Sequence, residues 1–254
     1  MKFFRFGSTP TTLPATGKGD RIYAIGDVHG RLDLLRDLLQ KVERHNATLP
    51  RCQNLFVVLL GDLIDRGDHS AQVLSFLHGV QQKTGRLLVL KGNHEDLMLR
   101  ALDGEPGMMK AWMRFGGDKT LRSFGIEPPK SEEEMFACSR MLASAIPRDI
   151  VEWLRALPLS ARSGDYFFCH AGIRPGVPLK RQVEADLLWI RKEFLEDATD
   201  HGTVIVHGHS ISDDVQVREN RIGIDTGAYR TGVLTALFLE GTERDTLVAD
   251  ASTL

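Results

Sequence analysis

Thiols, surplus charge and long apolar runs are all scarce in this sequence, and each scarcity removes a class of function. The three cysteines, Cys52, Cys138 and Cys169, are scattered and form no CxxC pair. No disulfide framework is therefore expected, and a reducing, cytoplasmic setting is the simplest expectation. The formal net charge is only −2. Without a basic excess, a dedicated nucleic-acid binder is disfavoured. Met1-Lys2-Phe3-Phe4-Arg5-Phe6 lacks the continuous apolar region of a secretory signal, and no later run is long enough to span a bilayer, so no membrane partner is expected.

What is present is ordinary in amount: 254 residues, 42% hydrophobic and 26% charged. A chain of that size can bury one substantial core. Residues 1–20, rich in Ser, Thr, Pro and Gly from Gly7 to Gly19, are expected to be a flexible lead-in, and residues 21–254 a single domain.

The chain is organised around short polar stretches that each follow an apolar, strand-like run. Gly26-Asp27-Val28-His29-Gly30 follows Ile22 to Ile25, and Gly61-Asp62-Leu63-Ile64-Asp65-Arg66-Gly67 follows Leu55 to Leu60. Gly92-Asn93-His94-Glu95 follows Leu87 to Leu90. Two more stretches come later, Cys169-His170-Ala171-Gly172 after Tyr166 to Phe168, and His207-Gly208-His209 after Val204 to Val206. Polar ligands are thus offered where strands end.

Between the first three strands, Leu32, Leu34, Leu35, Leu38, Leu39 and Val42, and then Ala71, Val73, Leu74, Phe76, Leu77 and Val80, recur at helical spacing. This predicts a βαβαβ start with parallel strands, whose ligands gather beyond the strand ends. Residues 96–163 break the rhythm with helical patterns and are expected to be a helical insertion. Glu132-Glu133-Glu134 there suits a solvated helix N-terminus. Strand-like runs return at Tyr166 to Cys169, Thr203 to His207, Arg221 to Ile224 and Val233 to Leu239. With no long helices between the last three, a second and more antiparallel sheet is expected. The predicted fold class is α/β (α+β), a two-layer mixed β-sandwich flanked by helices.

Asp27, His29, Asp62, Asn93, His170 and His209 offer carboxylate, amide and imidazole donors without thiolate, a set that suits Mn²⁺, Fe²⁺ or Zn²⁺. Six donors exceed the need of one catalytic ion and fit two ions roughly 3.5–4 Å apart that activate a water and clamp a phosphoryl oxygen. Asp62, from the middle strand end, is the best bridge. Such a centre attracts a phosphoryl dianion, and Arg66 offers a planar fork for its oxygens. His94, next to the donor Asn93, is placed to protonate a leaving alkoxide as general acid, with Asp65 holding its other nitrogen. His207 is the rival to His209, since both would face the same side of an extended chain.

The three leading stretches resemble the GDxHG, GDxxDRG and GNHE signatures of the metallophosphoesterase (calcineurin-like) superfamily. The resemblance is specifically to the phosphoprotein phosphatases of the bacterial and phage type, and it runs from about Arg21 to Leu239. It implies a metallophosphoesterase fold with one ion held by Asp27, His29 and Asp62, and a second by Asp62, Asn93, His170 and His209. The family's ligand follows the glycine, which favours His209 over His207. It implies that Asp65 and His94 form the acid dyad and that Arg66 binds phosphate. Leu187-Leu188-Trp189-Ile190-Arg191 looks like the family's second phosphate-binding element, which suggests Arg191, and Tyr229 would border the pocket.

The expected activity is that of a phosphomonoesterase acting on phosphorylated serine, threonine or tyrosine in proteins, with two divalent ions, Mn²⁺ first and Fe or Zn next. No dedicated regulatory subunit is expected. The alternative is a dinucleoside polyphosphate hydrolase, such as one cleaving diadenosine tetraphosphate, which shares the first and third motifs. Arg66 and Glu95 are expected to favour the phosphatase. Glu95 is otherwise expected to favour the start of a helix, Cys169 to pack inside a strand, and Trp112, Phe115, Phe124 and Trp153 to belong to the core.

Overall fold

Two hydrophobic periods alternate along the first part of the chain, and in the computed structural model, which describes residues 13–254, they become a β-α-β-α-β unit. Strand β1 (Asp20–Ile25) leads to helix α1 (Leu32–Thr48), then β2 (Asn54–Leu59), α2 (Ser70–Lys83) and β3 (Leu87–Val89). Parallel neighbours need crossover connections of this kind, and β1 pairs parallel with β2 and β2 with β3. The helices bury the predicted faces: Leu32, Leu34, Leu35, Leu38 and Val42 on α1, and Val73, Leu74 and Leu77 on α2.

The region after β3 is helical, as expected: α3 (Asn93–Leu102), α4 (Met108–Arg114), α5 (Gly117–Ser123), α6 (Glu132–Ala145) and α7 (Arg148–Arg155). Helices α4 and α5 have seven residues each, too few for a period of 3.6 to stand out in sequence. Helix α6 starts where Ser131 accepts a hydrogen bond from the Glu134 amide and places Glu132, Glu133 and Glu134 in the first turn.

Strands β4 (Ser160–Ser163) and β5 (Tyr166–Cys169) open the second sheet, which continues past α8 (Glu184–Trp189) and α9 (Lys192–Leu195) into β6 (Val204–His207), β7 (Gln216–Val217) and β8 (Arg221–Gly223). After the single turn α10 (Ala228–Thr231) the chain ends in the long hairpin β9 (Val233–Glu240) and β10 (Glu243–Asp250). The sheet orders are β10-β9-β1-β2-β3 and β4-β5-β6-β8-β7.

Two expectations are corrected here. Val233 to Leu239 does not lie in the second sheet, because β9 pairs antiparallel with β1 in the first. A strand buried on both faces carries no mark of which sheet receives it. The second sheet is also not mainly antiparallel, since β5, β6 and β8 run parallel and only the edge strands β4 and β7 oppose them. The crossover from β6 to β8 uses a loop that folds β7 back against β8, so the absence of a helix there misleads.

Strand alternation sorts the apolar residues into layers. Ile22, Ala24, Val58, Tyr166, Phe168, Val204 and Val206 fill the space between the sheets. Tyr23, Ile25 and Leu59 face α1, α2 and the insertion. Phe167, Cys169 and Ile205 face Leu187, Ile190 and Phe194 on the far side. The result is a β-sandwich flanked by helices. No helix among the described residues is long and apolar enough to cross a membrane.

Of the lead-in expected over residues 1–20, residues 1–12 lie outside the described residues. The part that follows bonds to both sheets: Ala15 N donates to Asp165 Oδ2 at 3.0 Å, Gly17 N to Ser163 Oγ at 2.8 Å, and Gly241 N to Thr16 Oγ1 at 2.9 Å. Arg21, 2% exposed, ties the same end together by donating to Glu240, Asn46 Oδ1 and the Pro50 carbonyl. Arg21→Ala is expected to cost about 2–3 kcal/mol, because it removes the charge-assisted bonds of a buried guanidinium to three partly solvated acceptors. A urea midpoint unchanged from wild type would show that this cluster contributes nothing.

Candidate active site

Parallel strands end on the same edge, so the loops after β1, β2 and β3 open side by side. They are also bonded to one another. The Val28 and His29 amides donate to the Asp62 carbonyl at 3.0 and 2.8 Å, and the Gly30 amide donates to the Leu63 carbonyl at 2.8 Å. From the other sheet, His170 leaves β5 and the 207–209 turn leaves β6, and the two are joined where Gly208 N donates to the His170 carbonyl at 2.8 Å. The turn rests on the first loop: His209 N donates to both Asp27 carboxylate oxygens at 3.1 Å. A Cβ on Gly208 would overlap Asp27 Oδ1, and one on Gly92 would overlap the Asp62 amide, so both positions require glycine for close approach.

Among the described residues, the non-glycine residues with positive φ are His29, Asp62, Asp65, Arg66 and His209. All five are predicted site residues. Left-handed backbone is disfavoured for such side chains and persists where surrounding bonds over-determine it.

Two triads of donor atoms, each within 4.8 Å, share one member: His29, Asp62 and His94, and Asp62, His170 and His209. Asp27 Oδ2 lies 4.0 Å from His29 Nε2. Asn93 Oδ1 lies 2.8 Å from His170 Nε2, which is also 3.4 Å from Asp62 Oδ1. His170 Nδ1 is 2.9 Å from the Leu60 carbonyl and His29 Nδ1 is 2.8 Å from that of Ile64. Each ring therefore gives its proton to the backbone and turns a bare Nε2 inward.

The electrostatics fit a cation. Burial, then the charges of Asp225 and Asp62, pushes the Asp27 carboxyl well above its usual range. Asp62 goes the other way: burial works against its charge, but the imidazoles of His170, His94, His29 and His209 hold it far below the usual range. Burial lowers His29 to about 3, and lowers His170 and His209 as well. Neutral imidazole is the form that ligates metal. His94 differs. Burial opposes its charge too, yet Asp62 and the Asp65 hydrogen bond outweigh burial and raise its pKa. Its Nδ1 lies 2.6 Å from Asp65 Oδ2.

The two arginines enter from different loops. Arg66 Nη1 donates to His29 Nε2 at 3.0 Å, with its guanidinium 4.7 Å over the Tyr229 ring. Arg191 Nε donates to His209 Nε2 at 3.0 Å. The histidine ambiguity falls to His209, because its φ of +61 breaks the extended chain that would have aligned the two rings. His207 instead packs edge-on against Phe194 at 5.1 Å.

Glu95 sits in the first turn of α3, as expected of a residue that favours a helix start, and does more besides; Phe115 and Asp225 need a different account from the one their sequence positions suggest. Glu95 is fully buried and accepts from the amides of Asp62 (2.9 Å), Leu63 (2.8 Å) and Gly92 (2.9 Å). It clamps two motif loops together, and its carboxylate is engaged by backbone amides alone. Burial and the nearby Asp62 push its carboxyl up to about 7. Phe115 is not core: it is 40% exposed and edges toward His94 and Trp189. Asp225, not singled out from sequence, is buried beside Asp27, and burial lifts its carboxyl to about 6. Its signal was the same as the others', an acid just past a strand. Cys169 is buried, and burial pushes its thiol up, which suits packing rather than nucleophilic attack.

A profile of the calcineurin-like phosphoesterase family matches residues 20–232. A symmetrical bis(5'-nucleosyl)-tetraphosphatase from Janthinobacterium sp. (strain Marseille) is 30% identical over 171 residues, 65% of this chain and 50% of that protein, so the match spans about half of that relative. Serine/threonine-protein phosphatase 2 from Escherichia coli (strain K12) is 28% identical over 84% of this chain and 90% of its own. A solved structure described as a candidate diadenosine tetraphosphatase has a TM-score of 0.62 at 21% identity, covering 93% of this chain and 99% of the other, which shows a shared fold.

Glu95→Ala removes the acceptor of three buried amides, each costing about 1–3 kcal/mol when unpaired. A stability loss of about 3 kcal/mol or more is expected by chemical denaturation, with a smaller loss for Glu95→Gln, which keeps one acceptor oxygen. Equal stability of Glu95→Ala and wild type would remove the clamp. Asp62→Asn is expected to bind fewer Mn²⁺ ions in calorimetric titration, and unchanged stoichiometry would take Asp62 out of the shared position.

Proposed function

The chain belongs to the calcineurin-like phosphoesterase family and is a metal-dependent phosphoesterase, and from that premise we propose that it hydrolyses bis(5'-nucleosyl) tetraphosphates. The observation that carries this is a pair of arginines against the donor cluster with aromatic rings around it. Arg66 and Arg191 approach the donor cluster from different loops, each suited to a forked grip on phosphate oxygens. Phe115, Trp189 and Tyr229 stand around the same cluster, with Phe115 and Trp189 5.8 Å apart and Tyr229 5.3 Å from His29. A run of phosphates ending in nucleobases matches that sequence of surfaces, since each base can stack on an aromatic face for about 1–3 kcal/mol. The likeness to the Janthinobacterium tetraphosphatase supports the same substrate.

Asp27, His29 and Asp62 would hold one divalent ion, and Asp62, Asn93, His170 and His209 another. When bound, such a pair supplies water activated at neutral pH and positive charge for the phosphoryl oxygens. The chain's own side chains do the remainder. Arg66 and Arg191 orient the phosphates, and His94, held through Nδ1 by Asp65, presents Nε2 to protonate the departing oxygen. The native ion we propose is Mn²⁺, on the mixed oxygen and nitrogen donor set.

A second substrate class is favoured by one specific feature. An alkoxide leaving group needs a proton far more than a nucleotide phosphate does, and the His94–Asp65 pair is built to give one. Together with the nearly full-length relation to the Escherichia coli phosphatase, it supports phosphoserine and phosphothreonine peptides.

Side-by-side kcat/KM values for diadenosine tetraphosphate and a phosphothreonine peptide, with Mn²⁺ present, decide the matter. Preference for the nucleotide is expected, and preference for the peptide would overturn it. Phe115→Ala is expected to raise KM for diadenosine tetraphosphate about tenfold, the loss of one stacked base. His94→Asn is expected to keep its metals yet lose about 10²–10⁴ in turnover of alkyl phosphates. Full turnover in His94→Asn would remove its role as acid.

A further inference from the structure

Asp65 is the partner of His94, and nearly every other bond it makes comes from the helical insertion or from the start of α2. Its Oδ1 accepts from the Thr120 hydroxyl at 2.6 Å, and its Oδ2 accepts from the Trp112 indole N–H at 2.8 Å beside the His94 bond at 2.6 Å. Its amide donates to Ser70 Oγ at 3.0 Å and to Thr120 Oγ1 at 2.9 Å. The next residue is gripped as well, for Arg66 N donates to the Gly116 carbonyl at 3.2 Å. Trp112, Thr120, Ser70 and Asp65 are all fully buried.

Each contact alone has a plain explanation, because a buried indole or hydroxyl needs some acceptor. Their convergence does not. Trp112 lies on α4 and Thr120 on α5, and the turn between them, Phe115-Gly116, touches Arg66. Gly117 lies so close to the Trp112 ring that a Cβ there would stand 2.6 Å from its atoms, which fixes the indole's tilt. Asp65 itself has φ of +73, a conformation that needs such restraint. With both oxygens met by fixed donors, the carboxylate cannot rotate, and it fixes the plane and direction of the His94 ring.

We propose that Trp112 and Thr120 are positioning residues, and that the α4–α5 part of the insertion exists to hold Asp65 so that His94 Nε2 faces the leaving oxygen. This rests on the assignment of His94 as proton donor and adds the elements that aim it. Misplacing a reacting group by about 1 Å can cost roughly a hundredfold, so the effect is expected to fall on steps that need the proton.

The test compares Thr120→Val, Thr120→Ser and Trp112→Phe on two phosphate monoesters, p-nitrophenyl phosphate with a good leaving group and an alkyl phosphate with a poor one. Thr120→Val and Trp112→Phe are expected to lose about tenfold to a hundredfold in kcat on the alkyl ester with KM little changed, and to stay near wild type on the nitrophenyl ester. Thr120→Ser, which keeps the hydroxyl, is expected to restore the alkyl rate.

The second measurement needs neither metal nor substrate. In ¹⁵N-histidine-labelled protein the His94 Nδ1–H proton, identified by its loss in His94→Asn, is expected far downfield. It should shift or broaden in Thr120→Val and Trp112→Phe, but not in Thr120→Ser. An unmoved resonance, or equal losses on both esters that Thr120→Ser fails to rescue, would overturn the proposal. If wild type shows no difference from His94→Asn on the alkyl ester, the acid role of His94 fails by itself, and the resonance still reports whether the insertion aims the ring.

Discussion

The molecule must keep a carboxylate, Asp62, charged while only 2% exposed, and most of the site follows from that demand. Water is not there to stabilise the charge; the His94 ring at 3.7 Å and the His94 amide at 3.1 Å do so in part, and the bare ring nitrogens of His29 and His170 that face the same carboxylate suit a cation beside it. No single strand could deliver such a shell. It takes the ends of β1, β2 and β3 from one sheet and of β5 and β6 from the other, which is why a sandwich with both sets of strand ends on one side is required.

Within that shell, chemically similar groups are driven apart by their neighbours. His29, His170 and His209 are pushed toward the neutral form, two of them donating Nδ1–H to backbone carbonyls, whereas two carboxylates raise the pKa of His94 against its burial. Asp27 and Asp62, both buried, are pushed in opposite directions. Glu95, a third acid, spends its oxygens on backbone amides alone. Identity of side chain therefore says little about role here, and the bonds on its far side say most.

The strand ends, the two helical crossovers that join the first three strands and the polar residues that cluster beyond them were legible because each rests on local patterning: a helical or strand-like apolar period, a glycine, then a polar residue. The pairing of β9 with β1 was not, since a strand apolar on both faces fits any sheet interior. Spacing alone left His207 and His209 level, because the contrast depends on one backbone angle, and it was the family resemblance that favoured His209. Trp112 and Thr120 were silent because they act through Asp65 from more than forty residues away in sequence, and nothing in their neighbourhood resembles a motif. Phe115 was placed in the core by its type, but its position at the end of a seven-residue helix leaves it facing outward.

The left-handed backbone at His29, Asp62, Asp65, Arg66 and His209 bears on how such chains are told apart. Those letters are spelled by the shape of the turns as much as by the reaction, so a signature built from them travels with the scaffold and is indifferent to what is being cleaved. Tetraphosphatases and protein phosphatases can then share one inscription. Whatever separates their diets has to be written outside it, on rings such as Phe115, Trp189 and Tyr229 that no turn obliges to be there.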